Sequence, residues 1–189
     1  MEVAALGPND VVNAGFALGA SGRPVSSAIV QADGEVFTCK ISKLANEKKN
    51  ESLIAAFAQA QQRLIDQSNI ITACTASHAL KARLGRWLLR ARDLMGTNKL
   101  SFTQDQVAKL LGVERSYLNK TIEWLHRFKI VRPGRRELTI LNPKLLNQHA
   151  CPCYGLIRST YGRFAPYASD QSCKIHSQIH IDERVTQRA

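Results

Sequence analysis

Residues 100–142 read LSFTQDQVAKLLGVERSYLNKTIEWLHRFKIVRPGRRELTILN, and this stretch decides the fold. Thr103 followed by Gln106 three residues later predicts a capping box at the start of a helix over 104–111. Gly112 then permits the left-handed backbone conformation that a sharp turn needs. The stretch is therefore predicted to begin with a short helix that ends in a tight turn.

The second predicted helix, over 114–128, divides into an apolar side and a polar side. Its apolar residues recur at helical spacing and seat the helix on its neighbour; they are Leu118, Ile122 and Leu125. The polar residues of its N-terminal half share the other side, as expected of a recognition helix in the major groove of DNA. Four of them are predicted to read base edges: Arg115, Ser116, Asn119 and Lys120.

A basic hairpin is predicted directly after this helix. Residues 130–132 and 137–140 are typical of two short strands, and Pro-Gly-Arg-Arg at 133–136 forms the turn between them. A hairpin tipped with arginines suits contact with phosphates or the minor groove. The predicted phosphate contacts are Thr103, Tyr117, Arg132, Arg135 and Arg136. Helix, turn, helix and basic hairpin in this order predict a winged helix-turn-helix domain over 78–154.

Almost all of the net charge of +11 lies in one block of the chain. Between residues 78 and 150, fifteen Lys or Arg oppose five Asp or Glu, which gives +10. Such a block attracts polyanions, and the phosphate backbone of nucleic acid is the commonest polyanion in a cell. A solvated basic surface without a partner is the alternative that charge alone leaves open.

The first part of the chain is predicted to hold short strands and then a long helix. Residues 27–31 and 35–41 are rich in β-branched and aromatic side chains, which predicts two strands. Residues 48–77 then show apolar spacings of three and four without Gly or Pro. A helix this long needs a neighbour for its apolar side, either an identical helix in a homodimer or a core within the chain. The predicted dimer contacts are Leu53, Phe57, Leu64 and Ile71.

Several segments resemble the Crp–Fnr superfamily of bacterial transcription regulators. The segments that carry the resemblance are ARLGRWLL at 82–89, within a helix predicted over 79–95, LSFTQ at 100–104 and LGVER at 111–115. Two others, GFALGA at 15–20 and AIVQ at 28–31, are similar to the distal half of that family's cyclic-nucleotide-binding-like β-roll. The resemblance extends over residues 1–154 and implies a partial β-roll over 1–46.

The resemblance also implies how the protein works. A homodimer joined along the long helix would place one recognition helix in each of two successive major grooves of a near-palindrome. RNA polymerase is a candidate partner. Arg115, Ser116 and Lys120 match the family's base-reading positions, although the middle position is often acidic in the family. Phe16 and Ser26 stand where effector-binding members hold a glutamate and an arginine, so we expect no binding of cyclic AMP, because a buried phosphate without a cation is costly.

The cysteine and histidine spacings do not predict a metal site or a cofactor. Candidate ligands near the end of the chain are His149, Cys151, Cys153, Cys173 and His176. A Cys-x-Cys spacing is a poor match to the usual zinc motifs. Cys74 and His78 lie one helical turn apart and are interpreted as a pair at an interface. A metal- or thiol-dependent redox sensor built on the same DNA-binding domain stays open as an alternative.

The sequence as a whole predicts a mainly α protein with small β parts. No apolar run reaches the roughly 18 residues of a membrane span, and no signal peptide is recognisable, so we expect a cytoplasmic protein. Nothing resembles a nucleophile with its base or a phosphate-binding loop, so we expect no enzyme. Residues 155–189 are predicted to form a mobile tail. The leading hypothesis is a homodimeric, sequence-specific DNA-binding regulator of transcription; a protein-interaction module is the alternative.

Overall fold

The computed structural model of the protein describes residues 1–8, 10–44 and 50–162. These residues form eight helices and three strands, in the order α1 (Ala14–Ala17), α2 (Ile41–Leu44), α3 (Glu51–Ser77), α4 (Leu80–Met95), β1 (Lys99–Leu100), α5 (Gln104–Leu111), α6 (Arg115–Arg127), β2 (Val131–Pro133), β3 (Leu138–Ile140), α7 (Pro143–His149) and α8 (Cys153–Gly162). The predicted class, mainly α with small β parts, is confirmed. Within the described ranges, no helix combines the length and apolarity needed to cross a bilayer. Cys173 and His176 lie outside those ranges.

The helix pair α5 and α6 forms as the local sequence signals require. The Thr103 hydroxyl accepts a hydrogen bond from the Gln106 backbone N–H at 3.2 Å, and the Gln106 side chain accepts one from the Thr103 N–H at 2.8 Å. This predicted capping box begins α5, and Gly112, with a φ of 64°, ends it. The turn is therefore fixed by the residues on either side of α5.

A three-stranded antiparallel sheet contains the predicted hairpin and one strand more. The order is β1–β3–β2, with Lys99 opposite Thr139 and Val131 opposite Ile140. Strand β1 has two residues, which is too short for an alternating pattern to appear in the sequence. Its Leu100 is completely buried, so β1 fastens the hairpin to the helical core.

Helix α4 occupies the centre of the domain. All of its residues from Arg83 to Ala91 are buried, and it contacts α6, α7, α8 and β1. The ring of Trp87 packs edge-on against that of Phe102, with 5.0 Å between their centroids. Each large apolar side chain buried here contributes roughly 1.5–3 kcal/mol to folding.

The strands predicted within residues 1–46 are not formed. The described part of this segment contains two short helices, α1 and α2, and no strand. Several apolar side chains of the predicted strands are exposed: Ile29, Val30, Val36 and Phe37. A strand is stable only when a neighbour pairs with its backbone, and here no such neighbour is supplied by the described residues. The partial β-roll is therefore absent from the described part of this segment.

Helix α3 begins and ends close to the predicted bounds, but it has neighbours in its own chain. It packs against α1 and α8, and Gln61 accepts a hydrogen bond from the Gly15 N–H at 3.0 Å. Ile71 is 3% exposed in the single chain, so it belongs to the core and not to a surface open to a second copy. Leu53, Phe57 and Leu64 are half-buried.

The segment predicted to be a mobile tail begins with a packed helix, α8. The hydroxyl of Tyr161 donates to the Asp10 carboxylate at 2.8 Å and accepts from the Gln67 amide at 2.7 Å. The guanidinium of Arg90 lies over the Tyr161 ring, 4.1 Å from its centroid. Burial raises the pKa of Tyr161 to about 12, and the nearby Asp10 carboxylate adds to the shift. Residues 155–162 are therefore part of the fold, in contrast to the prediction.

Gly85 lies where α4 makes its closest approach to the segment before α8. A β-carbon at this position would be 3.0 Å from the Cα of Ala150 and 3.2 Å from its backbone nitrogen. The neighbouring Cys151 N–H donates to the Ala82 carbonyl at 3.2 Å, which holds the two segments together. Glycine in a helix interior costs about 1 kcal/mol relative to alanine, and the close approach explains why it is present.

We expect Gly85→Ala to lower the free energy of unfolding. Its methyl group meets backbone atoms held by a hydrogen bond, and this outweighs the gain of about 1 kcal/mol in helix propensity. Gly155→Ala in α8 is the matched control, because a methyl group there meets no heavy atom within 4 Å. That variant should keep or gain stability. Urea denaturation followed by circular dichroism compares the two, and equal effects would contradict the packing argument.

Candidate nucleic-acid interface

The outer side of α6 carries the polar residues that the sequence predicted. Arg115, Ser116, Tyr117 and Lys120 are exposed, whereas the buried stripe is at most 1% exposed; it consists of Leu118, Ile122 and Leu125. The apolar side packs on the core that contains α4 and α5. Helix α6 is thus held by one side while the N-terminal half of the other side is available to a ligand.

Arg115 is paired with Asp105 on the neighbouring helix. Its Nη1 donates to the Asp105 Oδ2 at 3.2 Å, and both side chains are more than half exposed. Exposed ion pairs contribute little to stability, roughly 0–1 kcal/mol. The Arg115 guanidinium can therefore exchange this carboxylate for another acceptor at small cost. Without such an acceptor, the ion pair keeps the guanidinium beside the start of α5.

Two of the predicted contact residues are already engaged by the protein. The Thr103 hydroxyl accepts from the Gln106 N–H in the capping box and donates to the Gln106 side chain at 3.0 Å. Asn119 is half-buried, and its Oδ1 is shielded from solvent without a hydrogen-bond partner in the described part of the chain. Arg115, Ser116 and Lys120 are therefore more available to a ligand than Thr103 or Asn119.

The hairpin between β2 and β3 presents three arginines beside α6. Arg132, Arg135 and Arg136 are all exposed. The Gly134 N–H donates to the Glu137 carbonyl at 2.9 Å and closes the turn. Arg136 has a φ of 129°, a backbone conformation in which a side chain is rarely found. The tip of the hairpin thus holds a charged side chain in a strained conformation.

Three arginines of the basic block are not on the surface. Arg83, Arg86 and Arg90 of α4 are at most 8% exposed. Arg83 donates to the Leu111 carbonyl, and Arg86 lies 3.9 Å from the Glu2 carboxylate. Burial raises the pKa of Glu2, and the positive charge of Arg86 opposes this shift. The positive charge that faces solvent is therefore smaller than the sequence count.

A cluster of cysteine and histidine side chains lies outside this interface. Cys74, His78, Cys151 and Cys153 are brought together, and the potential ligand atoms all lie within 4.8 Å of one another. Burial raises the pKa of the Cys151 thiol to about 12, with a further contribution from Cys74, and burial also raises the pKa of Cys153. The sequence showed two separate pairs, and only the fold places them in contact.

The central part of the chain matches a known family. Residues 82–149 match the family model described as the Crp-like helix-turn-helix domain. These residues form a Crp-like helix-turn-helix domain. The predicted resemblance to the Crp–Fnr superfamily is confirmed for this segment, which extends from the first turn of α4 to the end of α7. No curated protein matches the chain.

Solved structures that are similar to part of this chain include proteins described as transcriptional regulators. One from Thermus thermophilus, of the CRP/FNR family, is 24% identical with a TM-score of 0.50, and the match covers 53% of this chain and 55% of that one. Another, a regulator of the crp/fnr family from Eubacterium rectale, is 20% identical with a TM-score of 0.47, and the match covers 62% and 52%. The matches thus span about half the length of these proteins. The first likeness supports the fold of the Crp-like domain.

Arg136→Gly is expected to be more stable than Arg136→Ala by about 1 kcal/mol. Both variants remove the charge, but only glycine adopts a φ of 129° without strain. The same two substitutions at Arg135, where φ is not positive, serve as the control, and there alanine should be the more stable residue. Thermal denaturation measures all four variants. Equal stability of the two Arg136 variants would show that the hairpin tip stores no strain.

Proposed function

We propose that the protein is a sequence-specific DNA-binding regulator of transcription. The observation that carries the proposal is the exposure of Arg115, Ser116 and Lys120 on one side of α6, whose other side is completely buried. A helix fastened in this way can enter the major groove without losing its place in the core. Such a regulator acts in the cytoplasm, and RNA polymerase is its candidate protein partner.

We assign recognition of the bases to α6 and binding of the DNA phosphate backbone to the hairpin. The Arg115 guanidinium can leave Asp105 and bond the O6 and N7 atoms of a guanine, which is the commonest specific contact of arginine in the major groove. Arg132, Arg135 and Arg136 lie on the hairpin, where they can contact phosphates on either side of the groove. Tyr117, which is 53% exposed, is a further phosphate donor.

The proposed regulator binds DNA as a homodimer. One α6 covers only a short half-site, and two copies related by a two-fold axis read a near-palindrome with half-sites about 34–36 Å apart. Helix α3 is the candidate contact because Leu53, Phe57 and Leu64 are not fully covered by their own chain and the nearby Ile65 is 43% exposed. Because Ile71 is already buried in the single chain, the proposed contact is limited to the N-terminal two thirds of α3.

Arg115→Ala and Arg135→Ala should weaken DNA binding in different ways. Loss of the Arg115 guanidinium should cost about 1–3 kcal/mol and relax the preference at one base pair. Loss of the Arg135 charge should weaken all sequences alike and reduce the slope of log affinity against log salt by about 1. Selection of bound oligonucleotides from a random pool, followed by titration at several salt concentrations, measures both effects.

Arg158→Ala is the matched control, because it removes an exposed arginine from α8, outside the proposed interface. It should change neither the selected sequence nor its affinity by more than about 0.5 kcal/mol. Identical behaviour of Arg115→Ala and Arg135→Ala would contradict the division into reading and holding. Equal affinity of the wild type for selected and random DNA would favour the protein-interaction module instead.

Leu64→Glu is expected to convert a dimer into a monomer, because it places a charge in an apolar contact between two copies of α3. Gln59→Glu introduces the same charge on an exposed position of the same helix and should leave the mass unchanged. Light scattering of the purified protein distinguishes the outcomes. If both variants keep the mass of the wild type, α3 is not the dimer contact.

A further inference from the structure

Four side chains that bind metal ions in proteins meet where α3 ends and α8 begins. Cys74 lies in the last turn of α3, and His78 is the residue at which that helix ends. Cys153 is the first residue of α8, and Cys151 stands two positions before it. More than seventy residues of the chain, including the whole helix-turn-helix, separate the two pairs.

The distances between these side chains match a site for a single ion. The Sγ atoms of Cys74 and Cys151 are 3.4 Å apart, and the Cys153 Sγ lies 3.6 Å from the His78 Nδ1. All four ligand atoms fall within 4.8 Å of one another. In a tetrahedron with metal–sulfur bonds of about 2.3 Å, neighbouring ligands are about 3.8 Å apart. Little movement would therefore bring the four atoms to coordinating positions.

The four side chains are largely shielded from solvent, as expected of the ligands of a bound cation. Cys74, Cys151 and Cys153 are 1%, 4% and 6% exposed, and His78 is half-buried. The three thiols form one buried cluster, and the half-buried Ile70 and Ala82 pack against it. A bound divalent ion would offset most of the negative charge of the three thiolates, whose protons would be released to solvent.

We propose that Cys74, His78, Cys151 and Cys153 bind one zinc ion in a closed, tetrahedral site. Three thiolates and one imidazole form one of the usual ligand sets of structural zinc. Because the protein supplies all four ligands, no position is open for water or a substrate, which makes the role structural and not catalytic. The Cys-x-Cys spacing is no obstacle, since the remaining two ligands come from another helix.

Two other uses of the same residues fit the structure less well. A disulfide would join two of the three thiols and would leave the third thiol and the imidazole without a role. An iron–sulfur cluster spreads its ligands around two or more iron atoms, whereas these four ligand atoms lie within 4.8 Å of one another. The compact arrangement favours a single ion.

The zinc site would fix the angle between the long helix and the Crp-like domain. The chain passes from α3 to α4 through His78 and Ala79, which both have extended backbone conformations. An ion bound by residues of this junction and by the start of α8 would join both ends of the domain to α3. Its effect on DNA binding rests on the proposed function, but binding of the ion itself does not.

The test is the metal content and the cobalt spectrum of the full chain, purified under reducing conditions. We expect about one zinc per chain by elemental analysis. After zinc is removed and cobalt added, the absorption should show thiolate-to-cobalt charge transfer and the visible bands of a tetrahedral site. Cys74→Ser, Cys151→Ser and Cys153→Ser should each lower the zinc affinity by more than about tenfold and weaken the charge-transfer band.

Three further variants make the result decisive. Cys39→Ser changes an exposed cysteine and should keep full zinc content. His78→Ala should bind zinc more weakly, and His78→Cys should restore binding by completing a four-cysteine site, which also shows that the variants fold. A chelator should lower the melting temperature of the wild type and leave that of Cys151→Ser unchanged.

Each other outcome would overturn the zinc site. Wild-type protein that binds no metal and that forms a Cys74–Cys151 disulfide once the reductant is removed and oxygen is admitted would assign the cluster to thiol chemistry. Acid-labile sulfide with broad visible absorption would assign it to an iron–sulfur cluster. Equal zinc loss in Cys39→Ser and Cys151→Ser would indicate adventitious binding. None of these measurements uses DNA, so a protein that binds zinc but not selected DNA would contradict only the proposed function.

Discussion

Helix α4 is enclosed by its neighbours along nine consecutive residues, and this burial constrains the rest of the domain. Its apolar side receives α6, which sets the position of the exposed polar side chains. Gly85 lets the segment before α8 approach the helix backbone. The position of the candidate interface therefore depends on a helix that contributes no residue to it.

Helix α4 also lowers the amount of positive charge that the protein exposes to solvent. Basic residues on a helix next to a helix-turn-helix would ordinarily add to a DNA-facing surface, but three arginines of α4 face inward. All three contact other segments: Arg83 donates to the Leu111 carbonyl, Arg86 lies beside Glu2, and Arg90 lies over the ring of Tyr161. The positive charge near the proposed DNA site is consequently concentrated in Arg115, Lys120 and the hairpin arginines.

Local signals explain which parts of this fold could be predicted. The capping box at Thr103, the glycine at 112 and the apolar stripe of α6 each act within a few residues, and each was predicted correctly. The strands of residues 1–46 were predicted from side-chain type, but strands need a partner that lies elsewhere. The cysteine cluster was missed for a related reason, since Cys74 and Cys151 become neighbours only after the whole domain has folded. The base-reading and phosphate-contacting roles remain predictions.

The hydroxyl of Tyr161 bonds to both Asp10 and Gln67, and its ring lies under Arg90. The N-terminal segment, the long helix, α4 and α8 thus share contacts with one half-buried side chain. Neither the C-terminal half of the long helix nor the Crp-like domain can melt completely without breaking these contacts. The two parts are consequently linked in a single cooperative unit, and calorimetry would record one unfolding transition instead of two.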